Sequence, residues 1–198
     1  MKHELKILRR SIRRIAIIIF GLLLTVFFSL SRPLATTEPR KCDKAIESIK
    51  GFQVTTPPKL YTELNFNNAE GAKKNLADYL GQGIVLNLWA TWCLPCVKEM
   101  PQLNQLQKKL INDKIEVLAI SVDREGTSLI ERFFNTNKIN NLEILADNTG
   151  KILKKTKTKG LPTTLLINAN GREIGRILGV LEWDSENVID LLRSCLTH

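Results

Sequence analysis

Cys93-Leu94-Pro95-Cys96 sets two thiols at the spacing that one helical turn brings together, where they can close a disulfide ring. The attacking species in disulfide exchange is a thiolate, and a free cysteine is mostly protonated at neutral pH. A helix starting at the motif changes that, because its free backbone N–H groups and positive end stabilise charge on the first sulfur. Cys93 is then the attacking cysteine and Cys96 the one that resolves the mixed disulfide. Pro95 stiffens the turn and limits its donors.

Competing chemistries need residues that are missing here. A zinc site takes four ligands, yet the only histidines are His3 and His198 and there is no second close cysteine pair. A cysteine hydrolase needs an imidazole base, and a copper-binding chaperone usually recruits a histidine beside its soft sulfur ligands. A peroxidase relies on a solitary reactive cysteine, which CxxC fits badly. The dithiol reading calls for no cofactor and no metal.

The elements around the motif suit it. Gly81 and Gly83 precede Ile84–Ala90, a mostly apolar run that reads as a buried parallel strand. In Trp92–Asn112 apolar residues recur at helical spacing through Val97, Met100, Leu103, Leu106 and Leu110, with Pro101 expected to kink the helix. Ile115–Val122 is a second buried strand, 127–137 a helix, Leu142–Ala146 a short strand, and the lysine-rich 149–157 a solvated basic helix or turn. Thr163–Asn168 and Glu173–Gly179 form a hairpin, and Asp184 is the expected cap of a last helix ending at Leu196. In Gly160-Leu161-Pro162-Thr163, a proline just before a buried strand lacks the N–H for ladder pairing. A cis bond there would turn the backbone toward the dithiol, and an ordinary trans proline at a loop end is the alternative. The order β-α-β-α-β-β-α is that of an α/β thioredoxin-like fold, a mixed sheet flanked by helices.

Size and charge place this domain. The chain has 198 residues and a net charge of +9, but residues 1–32 hold seven of the basic residues against Glu4 alone. No basic stripe interleaves with aromatics, so nucleic acid is not an expected partner. Behind the basic flank 1–14 comes the uncharged run Ile15–Leu30, about 24 Å long as a helix, which flanking arginines can help to span a membrane. An uncleaved signal anchor over 15–31 is the expectation, since Pro33 spoils a cleavage site at Ala35; a cleaved signal peptide is the alternative. Either way the basic end stays inside the bacterial inner membrane and the rest faces the periplasm. Residues 32–75, rich in turn formers, read as a tether, and 76–198 as the folded domain. Outside the cytosol disulfides persist, so Cys42 and Cys195 are either a structural bridge or two unpaired thiols.

NLWATWCLPCVKEMP (Asn87–Pro101), GLPTT (Gly160–Thr164) and the Glu182-Trp183 pair resemble the TlpA/ResA branch of membrane-anchored thioredoxin-like reductases, over roughly Leu76 to Leu196 and closest to its TlpA-like members. The resemblance implies a thioredoxin fold with an added central segment, here about Thr127 to Lys159. It implies a cis-proline at Pro162, with Leu161 and Pro162 meeting the substrate and Trp92 and Pro95 supporting the dithiol. Where cytosolic thioredoxins carry a buried Asp this chain has Asn87, which cannot take the proton of Cys96. Glu99 matches a glutamate of this branch that tunes the thiols; by spacing alone it is equally a solvated helix residue. The implied clients are cysteine-containing apoproteins of the oxidase subunit II or copper-chaperone type, with a membrane protein as electron donor. The loop before Pro162 lacks the longer form of the cytochrome c maturation subgroup, which leaves that assignment as an alternative beside a disulfide-forming oxidase. Some TlpA-like proteins fasten their N-terminal segment by a second disulfide, but the partner position in the hairpin turn is Arg172 here.

Overall fold

A computed structural model describes residues 51–61 and 63–197, together with Cys42, Ile46 and Ile49. The expected anchor over 15–31 lies outside the described residues. Eight strands form one sheet: β1 (Phe52–Leu60), β2 (Asn65–Asn68), β3 (Lys73–Asn75), β4 (Gly83–Trp89), β5 (Ile115–Ser121), β6 (Leu145–Ala146), β7 (Thr163–Ile167) and β8 (Arg172–Leu178). The helices are α1 (Leu94–Leu110), α2 (Thr127–Asn137), α3 (Lys151–Thr156) and α4 (Glu186–Leu196). The strand order is β1-β8-β7-β4-β5-β6-β2-β3.

β4 sits at the middle, parallel to β5 and antiparallel to β7. All of its residues are buried, which is why it reads as a continuous apolar run rather than an alternating one. α1 lays Met100, Leu103, Leu106 and Leu110 on the core. α4 does the same with Val188, Ile189, Leu191 and Leu192. Gly83 admits α4: a Cβ there would stand 2.5 Å from Leu196 Cβ and 3.0 Å from the Leu196 carbonyl oxygen. Trp89, at the end of β4, packs on Phe133 and Phe134 of α2 with ring centroids 5.1 and 6.0 Å away. The expected thioredoxin-like order of strands and helices, including the central segment with α2, β6 and α3, is the one observed.

Two expectations are corrected. Phe52–Asn75 is not tether but contributes β1, β2 and β3 to the sheet, with Leu64 and Phe66 in the core. The turn-forming residues that masked β1 have a position: Pro57 and Pro58 fall where its pairing with β8 is interrupted, between Val54 and Lys59. β1 is an edge strand, the place where a sheet tolerates residues without an N–H. The last helix begins at Glu186, with Ser185 rather than Asp184 in the cap position and no side-chain cap bond. The Asp184 carbonyl instead accepts a hydrogen bond from Lys109 Nζ at 2.8 Å, tying the helix entry to α1.

Candidate active site

β4 delivers the dithiol. The strand ends at Trp89, and the turn after it closes with Cys93 N–H donating to the Ala90 carbonyl at 3.1 Å. Asp123, fully buried just past β5, grips this turn: it accepts from Thr91 N and from Thr91 Oγ1, each at 2.9 Å, and from Ser121 Oγ at 2.7 Å. Cys93 is thereby fixed as the N-cap of α1, with an extended φ of −89° and ψ of 98°. Its sulfur accepts from Cys96 N–H at 3.4 Å, a backbone donor aimed at the atom that must carry charge. Pro95 occupies the first turn, where a helix needs no N–H. Cys93 and Cys96 are joined as a disulfide, their Cα atoms 5.2 Å apart. Cys93 keeps 6% exposure while Cys96 has none, so only the first sulfur can be reached from outside.

Glu99 lies one turn beyond Cys96 on the buried side of α1, at 3% exposure. The solvated alternative is thus not what the fold adopts. Its Oε1 accepts from Asn87 Nδ2 at 2.8 Å and its Oε2 from Trp183 Nε1 at 3.0 Å. Burial pushes the carboxyl up to about 7, against the opposing pull of the hydrogen bonds from Trp183 and Asn87. Asn87 Nδ2 also donates to Thr164 Oγ1 on β7 at 2.9 Å, while Asn87 Oδ1 has no partner among the described residues. Asn87 of β4 and Trp183, just before α4, therefore meet at one ionisable group of α1 that can change its proton near neutrality, with Thr164 of β7 bonded behind Asn87. Trp183 was visible in the sequence only as half of a motif. Its part in holding Glu99 depends on where the segment before α4 crosses α1, which no spacing along the chain reveals.

The Leu161–Pro162 peptide bond is cis. Pro162 is buried before β7, its carbonyl accepting from Gly179 N–H at 2.9 Å, whereas the Leu161 backbone has no partner among the described residues. Leu161 and Cys93 line one cavity of about 420 Å³, with Trp92, Val122 and Leu153 as apolar walls. Trp92 is 69% exposed, so it borders the dithiol from the solvent side. The structure thus brings together Trp92, Cys93 and Leu161, with Pro95, Cys96 and Glu99 following on α1 and Pro162 behind Leu161. Arg124 and Lys159 also line this cavity, and sequence reasoning singled out neither.

Cys42 and Cys195 are bonded to each other across a sequence separation of 153. They line a different cavity of about 790 Å³, beside Ile174 and Arg193, that shares no residue with the one at Cys93. The second disulfide is a fastening of the N-terminal segment to α4, not part of the dithiol site. Its partner is in the last helix rather than in the hairpin turn.

A thioredoxin-like sheet whose central strand feeds a dithiol to a helix N-terminus defines a class: thioredoxin-fold proteins built for thiol–disulfide exchange. Within it, the chain belongs to the AhpC/TSA family, whose pattern matches residues 57–172. Thiol-disulfide oxidoreductase ResA of Bacillus thuringiensis subsp. konkukian is 36% identical over 110 residues, a stretch that covers 56% of this chain and 62% of that protein. The chain therefore matches less than two thirds of that relative's length. ResA of Geobacillus kaustophilus is 35% identical over 124 residues, covering 63% of this chain and 67% of the relative. Among solved structures, a DsbF homologue from Corynebacterium diphtheriae superposes with a TM-score of 0.57 at 25% identity, over 72% of this chain and 94% of that one. The exposed lipoprotein thioredoxin Etrx1 of Streptococcus pneumoniae, at 23% identity and a TM-score of 0.58 over 66% of this chain and 98% of that one, shares the fold.

Proposed function

We propose that this protein is a protein-disulfide reductase that gives two electrons from Cys93 and Cys96 to disulfides of client proteins outside the cytosol. The observation that carries this reading is the placement of Cys93 at the N-cap of α1, reachable from solvent and facing Leu161, with Cys96 sealed behind it. The Cys93 thiolate attacks one sulfur of a client disulfide, forming a mixed disulfide and releasing one client thiolate. Cys96, having lost its proton, attacks the Cys93 sulfur, releases the second client thiolate and closes the ring. Glu99, buried on the Cys96 side of α1 and titrating about neutrality, is the group placed to take that proton. The relatives named thiol-disulfide oxidoreductases support the class, and the paired cysteines separate it from a peroxidase with a single reactive thiol.

The finer reading follows from the N-terminal sequence and from resemblance. Residues 15–31 anchor the chain in the inner membrane, the folded domain works in the periplasm, and a membrane protein restores the dithiol after each turnover. The clients are apoproteins whose cysteines must be reduced before copper is loaded, of the oxidase subunit II or copper-chaperone type. The reduced full chain, mixed with an oxidised copper-site domain of oxidase subunit II, is expected to release two client thiols per chain. Cys93→Ser should abolish this, and Cys96→Ser should stall at a mixed disulfide. Thiol release that survives in Cys93→Ser contradicts the mechanism; no release by the unaltered chain contradicts the client assignment.

A further inference from the structure

The cavity beside Cys93 carries charge of one sign. Its floor and walls are apolar (Trp92, Val122, Leu153 and Leu161), and the charged side chains that line it are Arg124 and Lys159. Among the described residues neither is paired with a carboxylate; the ion pairs there involve Lys74, Lys155, Arg176 and Arg193. Both cations are exposed. The neighbouring α3 and the turn after it add exposed Lys154 and Lys157. No Asp or Glu among the described residues lines the cavity: Asp123 is buried with its oxygens bonded to Thr91 and Ser121, and Glu125 is not in the lining. The Leu161 N–H and C=O have no partner among the described residues at the same rim, which suits a substrate lying extended against it.

We propose that this rim selects client segments in which the reacting cysteine is flanked by Asp or Glu. The inference rests on the reductase reading above and adds to it the class of peptide that the site prefers. Unpaired cations at a water-exposed rim act mainly on encounter and orientation, so the preference should appear in the rate and fade with salt. A client cysteine with an apolar neighbour for the Trp92–Leu161 wall and carboxylates facing Arg124 and Lys159 satisfies both parts of the surface.

The test uses three peptides of one length and sequence, except that the residues flanking a single cysteine are all Asp, all Ser or all Lys. Each cysteine is capped as a disulfide with the neutral thiol 2-mercaptoethanol. The reduced full chain in a non-ionic detergent is mixed with each peptide, and release of the peptide thiol is followed through one turnover. The Asp peptide is expected to react about five- to tenfold faster than the Ser peptide at low ionic strength, converging on it at about 0.5 M salt. In Arg124→Ser/Lys159→Ser that ratio should collapse toward one, and in Arg124→Glu/Lys159→Glu the Lys peptide should become the fastest. Three peptides reduced at equal rates at every ionic strength overturn the inference while leaving the reductase intact. Failure to reduce any of them overturns both.

Discussion

Glu99 concentrates the electrostatics of the site in one carboxyl. Its proton is held more tightly in the folded protein than in the unfolded chain, because burial opposes the charged form. Stability therefore falls as pH rises from about 4.5 to about 7, by roughly 3 kcal/mol, and levels off above. Glu99→Gln removes that dependence at the cost of one hydrogen bond, since Asn87 and Trp183 donate to different carboxylate oxygens and one of these becomes an NH2 group that cannot accept. The variant should unfold more readily than the parent at about pH 4.5, by about 1 kcal/mol, and less readily at about pH 8, by about 2 kcal/mol. Denaturant titrations at the two pH values check this, and parallel shifts of one sign would contradict it. Trp183→Phe removes a donor that favours the charged form, so the Glu99 carboxyl should titrate higher than about 7 when followed by its carboxyl carbon resonance. At this scale the sequence disclosed the residues whose chemistry is local. Cys93 and Cys96 declared themselves by spacing, because their reaction is with each other. Glu99 and Trp183 entered only through the family resemblance, and Arg124 and Lys159 were not singled out at all, because what matters about these residues is which distant side chain or cavity they meet.

Elements follow the same division. β4, α1 and the β7–β8 hairpin were legible because their patterns are those of their own burial: a continuous apolar run, a helical stripe, and a fully buried strand joined by a turn to an alternating one. β1, β2 and β3 were not: β1 and β3 are the edges of the sheet, where little apolar periodicity is needed and prolines are tolerated, and β2 is only four residues long with three asparagines that otherwise signal loops. The cap of α4 was misplaced by one residue for a related reason: Asp184 resembles a cap in isolation, but Lys109 claims its carbonyl. Close packing of elements gives a further test. Gly83→Ala puts a methyl group against Leu196 and its carbonyl, so α4 must move off β4. The substitution should cost about 1–3 kcal/mol, measured by chemical denaturation, with amide exchange quickening in Glu186–Leu196. Unchanged protection in that helix would show that the contact is not limiting.

At the scale of the molecule, two disulfides divide their duties. Cys93–Cys96 is placed to exchange, whereas Cys42–Cys195 closes a loop of 153 residues around the whole fold. Cys42→Ser/Cys195→Ser should lower stability by about 2–4 kcal/mol through the unfolded chain, without altering the chemistry of the dithiol. The equilibrium reduction potential of the dithiol tests most directly whether it runs as a reductant, as proposed. The full chain in detergent is equilibrated across thiol–disulfide buffers and trapped by alkylation, and the Cys93–Cys96 peptide is read by mass so that Cys42 and Cys195 do not contribute. A potential at or below about −200 mV, in the thioredoxin to glutaredoxin range, is the predicted result. A potential near about −120 mV would contradict it, making the chain a donor of disulfides rather than a remover of them.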